Sequence, residues 1–466
     1  MHQRRRRSRR ARLGAVALAT AALTVSTSCT SGSEPPAADP TPAASSSTAA
    51  PSPSASPAPV TLRFAAYGEP AQVTSYKRLA RAYERLRPHV TVKVETAADE
   101  ASAWQRLDRQ FDLEAPPDVF VADSDKVPQL VQQEWVQPVD ELLADRDVEF
   151  GDAYERLGLE AFAAESSLQC MPNDVSPHVV IYNERLLDLS AAVQPGETVP
   201  DPTVAGWAWR QFALAAQAAS QPGVQGVYLP PELTTLAPLL RSAGGNIVDD
   251  DRSPTTLTLD DAASREAMEA ILALARDSRV NPTPAQLRRE DAVSRFENGR
   301  LAMMIGTRAM VPRLRKAPGL VFDVYPLPSF GRFQTVADVT GYCISSTSEH
   351  VEEAADLLAF ASGAQGARIT ARSGGIVPAN LSALRSRAFR QPGLAPDNIG
   401  VFTDFVRRAE TMPTPLAWPR VVRRTRPLIA QLFYETVLDL EVQLTQIDEV
   451  SEQVLAEPTP SPSPSG

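Results

Sequence analysis

The side chains able to do chemistry in this chain are mostly carboxylates, and they cluster: Asp249-Asp250-Asp251, Asp260-Asp261, and the neighbours Asp145 and Asp147. Glycoside hydrolysis would need two of them facing each other across a sugar. Adjacent aspartates in polar surroundings read instead as solvated turns. The stretch DDDRSP lacks the spaced acids and distal Glu of a calcium loop. No GxSxG, HExxH or GxxxxGK[ST] motif occurs. His2, His89, His178 and His350 are scattered, with no i, i+4 pair and no CxxC nearby, so no metal or other cofactor is expected. Without a recognisable activated nucleophile, the chain does not read as an enzyme.

A binding cleft makes different demands. Sugar rings need flat aromatic faces, and their hydroxyls need a few acids, amides and arginines. Residues of those types stand at or just beyond the ends of expected strands: Tyr67, Glu69, Asp123, Asn173, Asp174, Asn246, Arg308, Tyr342 and Trp418. These are the candidate ligand-binding residues.

The elements that must position them can be read from periodicity. VTLRFAAYGEP (60–70) alternates apolar residues and ends in Gly and Pro, which predicts a strand and then a loop. Helical spacing over 73–88 stops at Pro88. A strand (90–96), a helix (101–114) and a strand (116–123) follow. This β-α-β-α-β order predicts a parallel sheet with right-handed crossovers. Ligands lie outside the carboxyl ends of such strands, which points to the loops 66–70 and 122–126. Further on, SLQCMP (167–172) reads as a strand, NDVS as a short polar loop and HVVIYN (178–183) as a strand. Residues 207–220 and 264–278 read as helices, 320–328 and 339–346 as strands, and 351–371 and 427–455 as largely helical.

The segment RFENGRLAMMIGTR (295–308) passes from a charged, helix-compatible stretch through glycine to a wholly apolar run, and stops at a second glycine. It reads as a helix closed by Gly299 in a left-handed cap, then a buried parallel strand. Gly306 is expected to free the backbone beside a ligand. Thr307-Arg308 is expected at the edge of a cleft.

The chain has 466 residues, enough for two or three domains, and 43% are apolar. Its net charge of −10 argues against nucleic-acid binding. The first residues are of another kind. MHQRRRRSRRAR is strongly cationic, and LGAVALATAALTV is an apolar run too short to span a bilayer comfortably. With STSCT after it, the segment resembles a bacterial lipoprotein signal: 1–28 is cleaved and Cys29 carries the lipid. Ser26 stands where that pattern prefers Leu. Ser8-Arg9-Arg10 also resembles a twin-arginine export signal. Residues 31–59, free of aromatic and branched aliphatic side chains, cannot form a core. Residues 29–59 are therefore expected to be a disordered, anchored spacer, and 457–466 a disordered tail.

Several motifs then add up to a family. PPDVFVAD with QEWVQPVDELL (133–143), MPNDVSPHVVIYNERLL (171–187), GWAWRQFALAAQ, LLRSAGGNIVDDD and the segment 295–308 resemble those of the solute-binding proteins of bacterial ABC importers. The likeness is to the carbohydrate-binding branch that includes maltose-binding protein, and it runs over roughly residues 60–450. It departs at Trp135, where Gly is usual, and at Thr307-Arg308, where an aromatic is usual. The resemblance implies an α/β fold of two lobes joined by a hinge, with a helical C-terminus. Residues 60–172 and about 345–400 would form one lobe, and 173–344 and about 401–456 the other. It implies a monomer that closes on a small solute, most often a sugar, and delivers it to membrane permease subunits. The protein would sit at the outer face of the cell membrane through its lipid. A secreted glycan hydrolase, or a non-transport lipoprotein of the same fold, remains as an alternative. The hinge strands of this family run side by side, which would place Cys170 beside Cys343, either as a disulfide or as two buried thiols.

Overall fold

The computed structural model describes residues 58–458, apart from 194–195, 200, 203–205 and 436–438. The expected signal peptide, Cys29, the spacer up to residue 57 and the tail from 459 lie outside the described residues.

The first five elements follow the expected order: β1 (Val60–Tyr67), α1 (Pro70–Leu86), β2 (Val90–Ala97), α2 (Glu100–Asp112) and β3 (Val119–Asp123). Pro70 opens α1, where its missing N–H costs nothing. Asp99 caps α2 by accepting the Ser102 N–H at 2.8 Å. β1 lies between β2 and β3 and runs parallel to both. Leu62 and Phe64 of β1 pack under Tyr76, Leu79 and Tyr83 of α1.

The chain then crosses to a second sheet and returns. β4 (Met171–Pro177) is followed after one residue by β5 (Val179–Asn183). Next come α3 (Trp209–Ala219), β6 (Gln225–Tyr228), α4 (Leu233–Ala243), α5 (Arg265–Ala275), α6 (Ala292–Glu297), β7 (Leu301–Gly306) and β8 (Phe322–Tyr325). The return strand β9 (Thr335–Ser345) pairs antiparallel with both β3 and β4. Among the described residues the second sheet has four strands in the order β8-β5-β7-β6. The result is the expected two-lobed α/β architecture, with one apolar cluster that takes in the first sheet and one face of the second, and another on the opposite face of the second sheet. Helices α7 (Val351–Ser362) and α8 (Ala364–Ala371) join the first cluster, while α9 (Trp418–Tyr434) and α10 (Leu440–Ala456) join the second.

Three local outcomes differ from expectation. NDVS is strand, not loop, and every residue of β4 is buried. Residues 173–177 and 335–344, expected across the hinge in the second lobe, are almost all strand residues of the first sheet. β7 is parallel to β6 but antiparallel to β5, because β5 enters the second sheet straight from the crossover.

The helix-to-strand step before β7 is built as expected. Gly299 has φ +67°. The Arg300 N–H bonds the Arg295 carbonyl at 2.8 Å and the Gly299 N–H bonds the Phe296 carbonyl at 3.1 Å, a Schellman closure. In the hinge ladder, Gly341 and Tyr342 sit opposite Pro172 and Met171. That register brings Cys170 and Cys343 together as a buried disulfide, with Cα atoms 4.4 Å apart.

Candidate functional site

An interlobe cleft of about 630 Å³ opens among the described residues. One wall comes from the first sheet: Asp123 at the carboxyl end of β3, the turn Ser124–Lys126, and Ala337, Asp338 and Val339 of β9. Pro231 to Thr234, at the start of α4, form part of the other wall. Residues 411–414 and the first turns of α9, with Trp418, Arg423 and Arg426, complete it.

Charge in the cleft is organised in pairs. The Lys126 ammonium bridges Glu100 at 2.9 Å and Asp125 at 2.7 Å. Burial opposes its charge, but the two acids outweigh that and raise its pKa. Tyr67 Oη donates to Asp123 Oδ2. Burial first, and Glu100 second, push the Asp123 carboxyl well above its usual range. Burial and Asp123 raise the Tyr67 phenol in turn. Arg426 stands 3.6 Å from Glu232 on the second wall. Asp338 faces the opening with its side chain 56% exposed, and its Oδ1 lies 3.1 Å from His178 Nε2.

Of the nine candidates, Asp123 and Trp418 line this cleft. Trp418 is only 6% exposed, so most of its ring is packed in the second cluster. Tyr67 reaches the cleft through Asp123 rather than directly. Glu69 is the N-cap residue of α1, and its N–H donates to Gln72 Oε1 at 3.0 Å.

Asn173, Asp174 and Tyr342 are not in the cleft but behind it. Tyr342 Oη donates to Asn173 Oδ1 at 2.8 Å, and Asn173 Nδ2 donates to Tyr76 Oη at 3.3 Å. Asp174 Oδ1 accepts from Ser176 Oγ and from the Val377 N–H, each at 2.7 Å. Asn246 is committed to its own turn, accepting from Arg241 Nε at 2.9 Å and donating to Asp251 at 3.2 Å.

Arg308 does not reach the cleft edge. It is 0% exposed, donates to the Phe389 carbonyl at 2.9 Å, and lies 4.3 Å from the Phe389 ring centroid. Burial and the nearby Arg315 make its charge less favourable. Gly306, expected to admit a ligand, instead makes room for Met310: a Cβ there would overlap the Met310 sulfur.

The reading from sequence missed Glu100, Glu232, Asp338, Arg423 and Arg426. Asp338 was within reach: it stands among the β-compatible residues Val336, Ala337 and Val339, and the strand simply begins earlier than residue 339. The α9 arginines carried no such signal, because a charged helix face is ordinarily just solvated.

A search of curated proteins finds no match. Among solved structures, an ABC substrate-binding protein from Listeria monocytogenes in complex with cycloalternan is 19% identical, with 85% of this chain and 99% of that one covered, at a TM-score of 0.74. The GacH receptor of Streptomyces glaucescens, studied unliganded and with acarbose, is 18% identical over 85% and 98%, at 0.70. The sugar-binding protein MalE of Xanthomonas citri is 19% identical over 85% and 97%, at 0.70. At these identities the likeness speaks for the fold. Residues 78–396, well over half of the chain, match the model of the bacterial extracellular solute-binding proteins, and the chain belongs to that family.

Proposed function

We propose that the protein captures a sugar or short oligosaccharide in the cleft and hands it to the membrane subunits of an ABC importer, held at the outer membrane face by a lipid on Cys29. The observation that carries this reading is the cleft itself. Its volume of about 630 Å³ falls within the roughly 300–1,000 Å³ of small-molecule sites. It offers one indole edge, carboxylates on both walls and two arginines, the mixture that sugar hydroxyls and ring faces require. The sugars named for the structural relatives, cycloalternan and acarbose, are of the same class. In this reading one lobe is built on the first sheet and the other on the second, and β4 and β9 bend between them as the lobes close.

Thermal unfolding against a sugar panel tests the proposal. A sugar at a hundred times its Kd stabilises by about 2.7 kcal/mol; no shift with any mono- or oligosaccharide sinks it. The anchor is tested separately by Cys29→Ser, which should release the protein into the medium.

A hydrolase is the second reading. It is favoured by one feature, the Asp123 carboxyl at the cleft wall, which burial and the nearby Glu100 push well above its usual range. Prolonged incubation with maltotriose should leave the sugar intact. Shorter products that vanish in Asp123→Asn would establish the hydrolase instead.

A further inference from the structure

We propose that His178 is a positioning residue that holds Asp338 as a solute-binding carboxylate, and that this pair makes solute affinity depend on pH. The proposal rests on the sugar-binding reading above.

His178 is the single residue between Pro177, the last of β4, and Val179, the first of β5. It is where the chain leaves the first sheet for the second. Its backbone is fixed on both sides: the N–H donates to the Val336 carbonyl at 2.8 Å, and the carbonyl accepts from Thr335 Oγ1 at 2.7 Å. Its side chain is 14% exposed, with Nε2 3.1 Å from Asp338 Oδ1. Asp338 is the one exposed position along β9, and it opens onto the cleft. A ring anchored at the crossover thus grips a carboxylate that solute would meet.

The charged groups around the ring are acids. Asp338 comes from β9, and Glu232 from the start of α4, with Arg426 of α9 3.6 Å beyond Glu232. Asp123 and Asp174 also feel Asp338. Protonated, His178 donates Nε2–H to Asp338 and offsets this excess of negative charge, so the second carboxylate oxygen points at solute hydroxyls. Neutral, the ring gives up that charge. In the tautomer protonated on Nδ1, Nε2 also presents a lone pair to the carboxylate. Burial disfavours the charged ring, but Asp338 outweighs it, so His178 titrates above its usual 6.5. The aid to binding is therefore complete at pH 6 and is lost as pH rises through that raised value.

Calorimetric titration between pH 6 and 8.5 tests this, with maltotriose as first probe and then the panel sugar giving the largest thermal shift. For the wild type, Kd should rise on the order of fivefold across that range, the low end of coupling between sites. His178→Gln keeps an N–H donor but carries no charge and does not titrate, so it should bind with an affinity between the wild type's pH 6 and pH 8.5 values, and without slope. His178→Ala should bind weakly and with no slope. Proton NMR should show the His178 titration moving down in Asp338→Asn. A wild-type profile without slope, or a slope that persists in His178→Gln, overturns the proposal. If no sugar binds at any pH, the sugar-binding reading fails instead, and the NMR titration still reports whether the pair exists.

Discussion

β9 carries two polar residues with opposite fates. Asp338 and Tyr342 are four residues apart on one strand and share a face, yet Asp338 stands open to the cleft and Tyr342 is sealed in the first core. Exposure falls along that face as the strand runs beneath α1: Asp338 is exposed, Thr340 half-buried, Tyr342 buried. The partner strand β4 follows the same rule, with Asn173 and Asp174 fully enclosed and His178, just past its end, reaching the cleft wall. Depth along the hinge strands, more than residue type, separates groups that open onto the cleft from groups that meet each other. The deep cluster of Asn173, Asp174, Tyr342 and the disulfide should therefore govern stability, and the shallow cluster of Asp123, Asp338 and His178 should govern binding.

The largest expected effect lies at the deep end. The disulfide closes a loop with a sequence separation of 173, which the chain-entropy model credits with about 5 kcal/mol. Cys170→Ala with Cys343→Ala should lower the urea midpoint accordingly while leaving the affinity of the folded fraction for sugar within about twofold. Loss of binding without loss of stability would invert the comparison.

Trp418 sharpens the contrast because it belongs to both regions. A ring only 6% exposed makes Trp418→Ala a core deletion, expected to cost about 3 kcal/mol or more of stability, and its exposed edge should also weaken sugar binding. Affinity lost with an unchanged melting temperature would mean that the ring serves solute alone.

Much of this was legible in the sequence. The β-α-β-α-β start, the Schellman closure at Gly299 and the apolar β7 all follow from periodicity and glycine placement, because local rules and the fold agree there. The deep cluster was misread for a physical reason. NDVS looks like a loop because polar residues ordinarily seek water, but here they satisfy one another: Ser176 donates to Asp174, and Tyr342 to Asn173. Such pairing runs between residues 2 to 169 positions apart, so its long-range part leaves no periodic trace. Arg308 was misplaced for the same reason. Its partners Phe389 and Phe402 come from a distant part of the chain, and only the fold reveals that the arginine is stacked on them.

A smaller effect separates the two clusters by pH. Burial raises Asp174 to about 7, against which its hydrogen bonds and Arg308 work. A carboxyl with a raised folded pKa binds more protons folded than unfolded, so its contribution falls as pH climbs from about 4 to 7. Asp323 and Asp448, raised to about 6 and 7, add to the same slope. Asp174→Asn should flatten part of it, so that unfolding free energies at pH 5 and pH 8 differ less than in the wild type. A steeper slope in the variant would show that Asp174 is ionised and held by Arg308.

The smallest effect is the most discriminating. Tyr342→Phe removes one hydroxyl and nothing else from the deep cluster. The ring keeps its edge contacts with Phe64 and Tyr76, at centroid distances of 6.0 and 6.4 Å, so no cavity opens. What is lost is the 2.8 Å bond to Asn173 Oδ1, with the hydroxyl's interaction with the Thr370 side chain, leaving a buried acceptor unmet. That costs on the order of 1 kcal/mol, readable as a shift of a few degrees or less in melting temperature for a domain of this size. Sugar affinity should not change, because the hydroxyl lies behind the cleft wall and not in it. Asp338→Asn, four residues away on the same strand, should do the reverse: melting unchanged, sugar bound more weakly. Should Tyr342→Phe weaken sugar binding tenfold while melting as the wild type does, depth along β9 would not divide the two roles, and the deep cluster would have to open to solute.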